Sequence, residues 1–136
     1  MKPIHTIAVG FDGSQDSKVA VRWALSLALH YDAQVVIAHA VGPRSLRRSE
    51  RRRGTRSGLI ELCGETGHEH SRARLAIADG DACSVMLRMA EAPVSADLLV
   101  VGTRGQGTHK GVLLGSTSLE LAEHSTNPLV IVPSAW

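Results

Sequence analysis

The sequence contains little cysteine and no long apolar segment. Its 136 residues include only Cys63 and Cys83, and a chain of this length folds without disulfide staples. We interpret both residues as thiols in a reducing cytosol and predict a cytoplasmic location. No run of about 18 apolar residues occurs, and the N-terminus lacks a charged leader and a small-residue cleavage site, which argues against a membrane span and a signal peptide.

Aromatic residues and net charge are also low. One Phe, one Tyr and two Trp provide few rings for stacking on nucleic-acid bases. A formal charge of +2 does not by itself indicate a nucleic-acid partner. A hydrophobic content of 43% suits one domain with an ordinary core. We therefore expect a single domain over residues 1–136 that binds neither membrane nor nucleic acid.

Five apolar segments alternate with helical segments along the chain. The predicted strands are His5–Phe11, Gln34–Val41, Arg72–Ala78, Leu98–Val101 and Leu129–Val132. Most are apolar throughout, as expected for strands that are covered on both faces of a parallel sheet. The pattern predicts an α/β fold with an open, doubly wound, five-stranded parallel sheet and helices on both faces.

The predicted helices carry recognisable caps. Ser14 is the predicted N-cap of the first helix, with Asp16 in the first turn, where a negative charge is favourable. Asp32 closes this helix, and Asp81 caps a later one over residues 82–92. The inward stripe of the first helix is predicted to be Ala20, Trp23, Ala24, Leu27, Ala28 and Tyr31.

The segment over residues 43–70 does not match the regular pattern. Seven arginines lie between Arg44 and Arg56, and four glycines weaken any helix. We expect an irregular connection with one short helix near residues 57–66. The arginines are interpreted as a solvated surface, with contact to phosphates or an acidic partner as the alternative. His68–His70 contains two histidines and a carboxylate, which we interpret as solvated rather than metal-binding.

The most informative stretch is Leu98–Ser118, LLVVGTRGQGTHKGVLLGSTS, in which a buried strand leads through a glycine-rich loop into a helix. Glycines allow positive φ and close approach of a ligand, and the first turn of a helix attracts an anion. This arrangement predicts a phosphate site. The residues that suit a phosphate are Gly102, Gly105, Gly115, Ser116 and Thr117.

The glycine spacing resembles that of a known family. It is neither a Walker A loop nor the Rossmann fingerprint, but its G-x2-G-x9-G-S pattern resembles the nucleotide-binding signature of the ATP-binding branch of the universal stress protein family. The resemblance extends to AVGFDGS, AHAV and NPLVIVP, and only residues 43–70 depart from it. Together with the right-handed crossover rule, it implies the strand order 3-2-1-4-5 of an adenine nucleotide alpha hydrolase-like fold. The reversal of strand order then places Asp12 beside the Gly102 loop.

The resemblance implies a role for each site residue. Asp12 would bond the ribose or support a metal, and the backbone around Ala40 would meet the adenine. Mg²⁺ would bridge phosphate oxygens and water, and Arg104, His109 and Lys110 are further basic candidates in the same loop. The triphosphate of ATP would be held by Gly102, Gly105, Gly115, Ser116 and Thr117.

Each of these residues also has a purely structural interpretation. Asp12 suits a turn or a helix cap, since Asp-Gly-Ser is common turn chemistry. Gly102 and Gly105 suit a strand-to-helix turn without a ligand, and Ser116 suits a helix cap. We interpret His39, within a strand, as a hydrogen-bonded core residue rather than a ligand.

Three functions are compatible with these features. The first is an ATP-binding, regulatory universal stress protein with little or no hydrolysis, because Asp12 alone does not supply the groups that phosphoryl transfer requires. The second is a nucleotide-independent homodimeric interaction protein, and the third an enzyme that activates a substrate with ATP. The resemblance also suggests a homodimer through Leu129–Val132, an apolar edge strand that pairing would cover, and a further protein partner is left unidentified.

Overall fold

A five-stranded parallel sheet forms the centre of the computed structural model, which describes residues 1–42, 48–65, 72–105 and 114–136. The strands are β1 Thr6–Gly10, β2 Gln34–Val41, β3 Ala73–Asp79, β4 Leu98–Gly102 and β5 Leu129–Val132. The helices are α1 Gln15–Tyr31, α2 Arg48–Glu65, α3 Ala82–Met89 and α4 Ser116–His124. The strand order is β3-β2-β1-β4-β5, and all neighbours are parallel. The predicted fold class and strand order are therefore confirmed.

Apolar side chains on both faces of the sheet explain why the strands are apolar throughout. Ile7 and Val9 of β1 pack with residues of α1 and α2 on one face. Ala8 lies between them on the other face and packs with residues of α3 and α4. Because consecutive side chains of a strand alternate between faces, a sheet with helices on both sides requires apolar residues at nearly every position.

The predicted helix caps are present. The Ser14 hydroxyl accepts a hydrogen bond from the Ser17 N–H at 3.2 Å, and Asp81 Oδ1 accepts from the Ser84 N–H at 3.0 Å. Asp32 ends α1 in the left-handed conformation, with φ of 55°. Among the helices in the described ranges, none is long and apolar enough to cross a membrane.

Two details of the helix predictions are wrong. Tyr31 is 48% exposed rather than inward, because it ends α1 and no further turn covers its ring. The third helix ends at Met89 rather than continuing to Ala92, because the N–H groups of Ala90 and Glu91 donate to the carbonyls three residues back, at Leu87 and Arg88, which replaces the α-helical pattern by a tighter turn. The remaining stripe residues are buried or pack against the core: Ala20, Trp23, Ala24, Leu27 and Ala28.

The Arg-rich segment contains a long helix, whereas the sequence predicted an irregular connection with only one short helix near residues 57–66. Helix α2 has 18 residues, although each interior glycine costs about 1 kcal/mol relative to alanine. Burial offsets this cost, because Leu59, Leu62 and Cys63 recur at helical spacing and are at most 5% exposed. Several residues named in the sequence predictions lie outside the described ranges, namely Arg44, Arg47, His68–His70, His109 and Lys110.

Candidate functional site

The strand order reverses between β1 and β4, and the loops that follow these strands meet there. Strand β1 pairs with β2 on one side and β4 on the other. A β-carbon placed on Gly105 would lie 2.6 Å from Oδ2 of Asp12. The sequence-based prediction that Asp12 lies beside the loop after Gly102 is therefore confirmed. In folds of this kind, such a reversal point is where ligands bind.

A cavity of about 270 Å³ opens at this point. Its apolar lining comes mainly from β2 and α3 and includes Ala38, Val85 and Met86, while the loops after β1 and β4 and the start of α4 provide polar groups such as Arg104. The structure thus brings apolar and polar surfaces together around one space. All seven residues predicted to bind a nucleotide line it: Asp12, Ala40, Gly102, Gly105, Gly115, Ser116 and Thr117.

Gly102 allows close packing between β4 and the start of α1. A β-carbon on residue 102 would lie 2.8 Å from the carbonyl oxygen of Asp16 and 2.9 Å from its carbonyl carbon. Positive φ is not the reason for this glycine, nor for Gly105, because in the described ranges the positive-φ glycines are Gly13 and Gly80. The sequence predicted that these glycines allow close approach of a ligand, but the neighbour that Gly102 approaches in the structure is protein backbone.

Asp12 has a structural role whether or not a ligand binds. Its Oδ1 accepts a hydrogen bond from the Ser14 N–H at 2.9 Å, which stabilises the turn from β1 into α1. Its Oδ2 lies against Gly105 of the other loop. The turn interpretation therefore holds for one carboxylate oxygen, and the other oxygen borders the cavity.

Asp16 connects α1 to the loop after β4, a role that sequence reasoning missed. Its Oδ2 accepts hydrogen bonds from Oγ1 of Thr103 at 2.9 Å and from the Arg104 N–H at 3.1 Å. The Nε of Arg104 lies 3.8 Å from the same oxygen. This contact could have been predicted from the strand order, which places the start of α1 beside the residues that directly follow β4.

The first turn of α4 lies at the cavity, and its N-cap residue has no side chain with which to cap it. Gly115 is the N-cap and provides no side-chain hydrogen bond, so the alternative in which Ser116 caps the helix is wrong. The Gly115 N–H donates to the Thr103 carbonyl at 2.7 Å. The Ser118 hydroxyl donates to the Gly102 carbonyl at 2.7 Å, which ties α4 to the end of β4. The uncapped first turn suits an anion.

His39 is a core residue, as predicted. It is buried, and its Nδ1 donates to the Phe11 carbonyl at 2.8 Å. Ala40, the next residue along β2, lines the cavity instead, because neighbouring side chains on a strand point to opposite faces. Within the described ranges, no three His, Cys, Asp or Glu side chains group in a way that could hold a metal ion.

Known proteins resemble the chain over most of its length. The model of the universal stress protein family matches residues 3–133. A universal stress protein from Mycolicibacterium smegmatis is 33% identical in a match that covers 94% of this chain. The chain spans about half of that relative, or 48% of its length.

Two solved structures extend this comparison. A crystal structure of a universal stress protein in complex with cAMP has a TM-score of 0.76 and 28% identity, and the match covers 98% of this chain and 99% of that one. The universal stress protein from Archaeoglobus fulgidus in complex with dAMP has a TM-score of 0.71 and 16% identity, and the match covers 93% of this chain and 96% of that one. At this identity the likeness supports the fold alone. On the family match and the shared sequence, this chain belongs to the universal stress protein family.

Proposed function

We propose that this protein binds an adenine nucleotide, with Mg-ATP as the first candidate, in the cavity between β1 and β4, and acts as a regulatory module with little or no hydrolysis. The observation that carries the proposal is the convergence of seven predicted residues on one cavity of about 270 Å³. The related structure that contains cAMP, at 28% identity, supports an adenine nucleotide as the ligand class.

The apolar part of the cavity suits the adenine ring. Ala38 and Ala40 of β2 and Val85 and Met86 of α3 line it, and such side chains provide flat, apolar contact for a base. Alanine leaves room beside the strand, so the β2 backbone near Ala40 is available to the edge of the base. Pockets that combine apolar walls with a few polar groups are typical small-molecule sites.

The polar part of the cavity suits phosphate. The uncapped start of α4 presents backbone N–H groups and the positive end of the helix dipole, and the hydroxyls of Ser116 and Thr117 lie at the same place. Arg104 adds a positive charge. Mg²⁺ would take most of its ligands from phosphate oxygens and water, and Asp12 fits it as a carboxylate partner.

The proposal of little or no hydrolysis follows from the groups at the cavity. Phosphoryl transfer needs a group that orients the attacking water and fixed positive charge at the transferring phosphate. Among the described lining residues, Asp12 is the carboxylate and Arg104 the cation. One oxygen of Asp12 is engaged by the Ser14 N–H, and Arg104 lies beside Asp16.

We also propose that two copies of the chain pair through β5. This strand is at the edge of the sheet and hydrogen-bonds with β4 on one side. Leu129, Val130 and Ile131 are only partly buried, and an apolar edge strand is normally covered or paired. This surface favours the second candidate function, a homodimeric interaction protein, which does not require a nucleotide.

Calorimetric titration of Mg-ATP into nucleotide-stripped protein tests the proposed function. Gly115→Val is the informative variant, because residue 115 has φ of −73° and ψ of 166°, a conformation that valine also adopts. Its added methyl groups should crowd the phosphate and weaken binding at least about tenfold, or roughly 1.4 kcal/mol.

Gly42→Val is the matched control. A β-carbon there meets no atom of the described residues within 4 Å, and Gly42 does not line the cavity, so binding should be retained. Failure of the unmodified protein to bind ATP, AMP or cAMP would contradict the proposal and favour the nucleotide-independent interaction protein.

A further inference from the structure

The loop after β4, which borders the proposed phosphate site, is held at its start by a carboxylate that does not line the cavity. Asp16 accepts the Thr103 hydroxyl and the Arg104 N–H on a single oxygen, Oδ2. Its side chain is 14% exposed, so the negative charge lies behind the wall of the proposed phosphate site. A negative charge in this position repels an anionic ligand, and partial burial reduces the screening of that repulsion by solvent.

Arg104 is positioned between this carboxylate and the cavity. Its Nε is 3.8 Å from Oδ2 of Asp16, which is an ion-pair distance but too long for a hydrogen bond. The Arg104 side chain is 40% exposed and is the cation among the described lining residues. A phosphate in the cavity and the Asp16 carboxylate therefore compete for the same guanidinium group.

We propose that Asp16 is a positioning residue that limits the affinity of the site for phosphate by holding Arg104 and by opposing the ligand's negative charge. This inference rests on the proposed nucleotide-binding function. The carboxylate keeps the loop in place and at the same time makes the binding of an anion less favourable. Asp16 thereby sets the nucleotide concentration at which the site fills.

The variant Asp16→Asn separates the effect of Asp16 on the loop structure from its effect on the binding of an anion. The asparagine side-chain carbonyl can still accept from the Thr103 hydroxyl or the Arg104 N–H, but it carries no charge. Asp16→Asn should bind Mg-ATP about fivefold more tightly, as expected on removing the charge of a partly exposed ion pair. Its affinity for adenosine should change less than about twofold, because adenosine has no phosphate and carries no charge for the Asp16 carboxylate to repel.

Isothermal titration of four proteins tests the inference: the unmodified chain, Asp16→Asn, Arg104→Gln and the double variant. Mg-ATP and adenosine are titrated at low and high salt, and thermal unfolding checks that each variant is folded. The gain in Mg-ATP affinity of Asp16→Asn should be smaller at high salt, because ions then already screen the Asp16 charge in the unmodified protein. It should also be smaller when Arg104→Gln is present, because the competition for the guanidinium is then gone and only the direct repulsion by the Asp16 carboxylate is left to remove.

Weaker binding of Mg-ATP by folded Asp16→Asn would overturn the inference, as would an equal change for adenosine or a gain that is undiminished when Arg104→Gln is present. In each case the unmodified protein still binds Mg-ATP, so the proposed function stands. If neither the unmodified protein nor Asp16→Asn binds a nucleotide, the proposed function fails and the inference fails with it.

Discussion

Gly102 packs directly against the backbone of Asp16, so that a β-carbon on residue 102 would lie 2.8 Å from the Asp16 carbonyl oxygen. This contact joins the end of β4 to the first turn of α1 on the border of the cavity. Neither partner is the end of a flexible side chain, so one of the two backbones must move to admit a methyl group. The first glycine of the family-like signature is therefore required by packing, independently of any ligand.

Gly102→Ala should destabilise the protein by about 1–3 kcal/mol, the usual cost of inserting a methyl group into a tightly packed contact. Urea denaturation measures this free energy of unfolding. Gly54→Ala provides a matched control within α2, because a β-carbon there meets no atom within 4 Å in the part of the chain that the structure describes. The control should be stabilised by up to about 1 kcal/mol, since alanine is the better helix former. Equal stability of the two variants would contradict the packing role.

Asp97 should make folding stability depend on pH. Its side chain is 8% exposed and accepts hydrogen bonds from the N–H groups of His5 and Thr6 at 2.9 and 3.0 Å. Burial alone would raise the pKa of Asp97, but hydrogen bonds from Lys2, His5 and Thr6 outweigh it and lower the pKa. A lowered pKa means that the stabilisation is complete above the ordinary aspartate value near 3.9 and is lost as the pH falls through the folded-state value.

Asp97→Asn should therefore cost roughly 1–3 kcal/mol at neutral pH, as expected when hydrogen bonds to a charged, largely buried acceptor are weakened. As the pH falls through the lowered pKa of Asp97, the carboxyl of the unmodified protein becomes protonated, and the two proteins should become more similar in stability. Urea unfolding at pH 7 and at successively more acidic pH measures the difference. A constant difference across this range would show that the charge of Asp97 contributes nothing.

Val130→Lys should convert the proposed dimer into a monomer, because a charged side chain on the edge strand blocks pairing. Sedimentation measures the mass. Leu29→Lys is the control, since Leu29 is 63% exposed on α1 and its replacement should leave the mass unchanged. Val130 also packs partly against the core, so thermal unfolding must show that the variant is folded. A folded Val130→Lys protein of unchanged mass would exclude pairing through β5.

Local patterns were sufficient for most of the fold. Strands β2 and β5 have the predicted bounds, because a buried parallel strand requires a continuous apolar run and the flanking turn residues mark its ends. The caps at Ser14 and Asp81 were predictable for a similar reason, since a cap is a short-range hydrogen bond between residues three apart. The glycine spacing, the position of Asp12 and the family resemblance predicted seven of the residues that line the cavity, but not its apolar lining from Ala38, Val85 and Met86.

Helix α2 shows where local patterns failed. Glycine content and charge predicted an irregular connection, yet three apolar residues, Leu59, Leu62 and Cys63, are buried against the core and stabilise the helix. Intrinsic propensity amounts to about 1 kcal/mol for each glycine, whereas burial of one large apolar side chain contributes roughly 1.5–3 kcal/mol. Tertiary packing therefore outweighed the local preference.

The sequence by itself determined the strands, the principal caps and the glycine-rich loop that follows β4, because each depends on neighbours within a few positions. Only the tertiary structure decided that Gly102 is required by the Asp16 backbone and that the Asp16 carboxylate pairs with Arg104. These contacts join residues far apart in the chain. They exist because β1 and β4 are neighbours in the sheet, which brings the two loops to one edge at hydrogen-bonding distance.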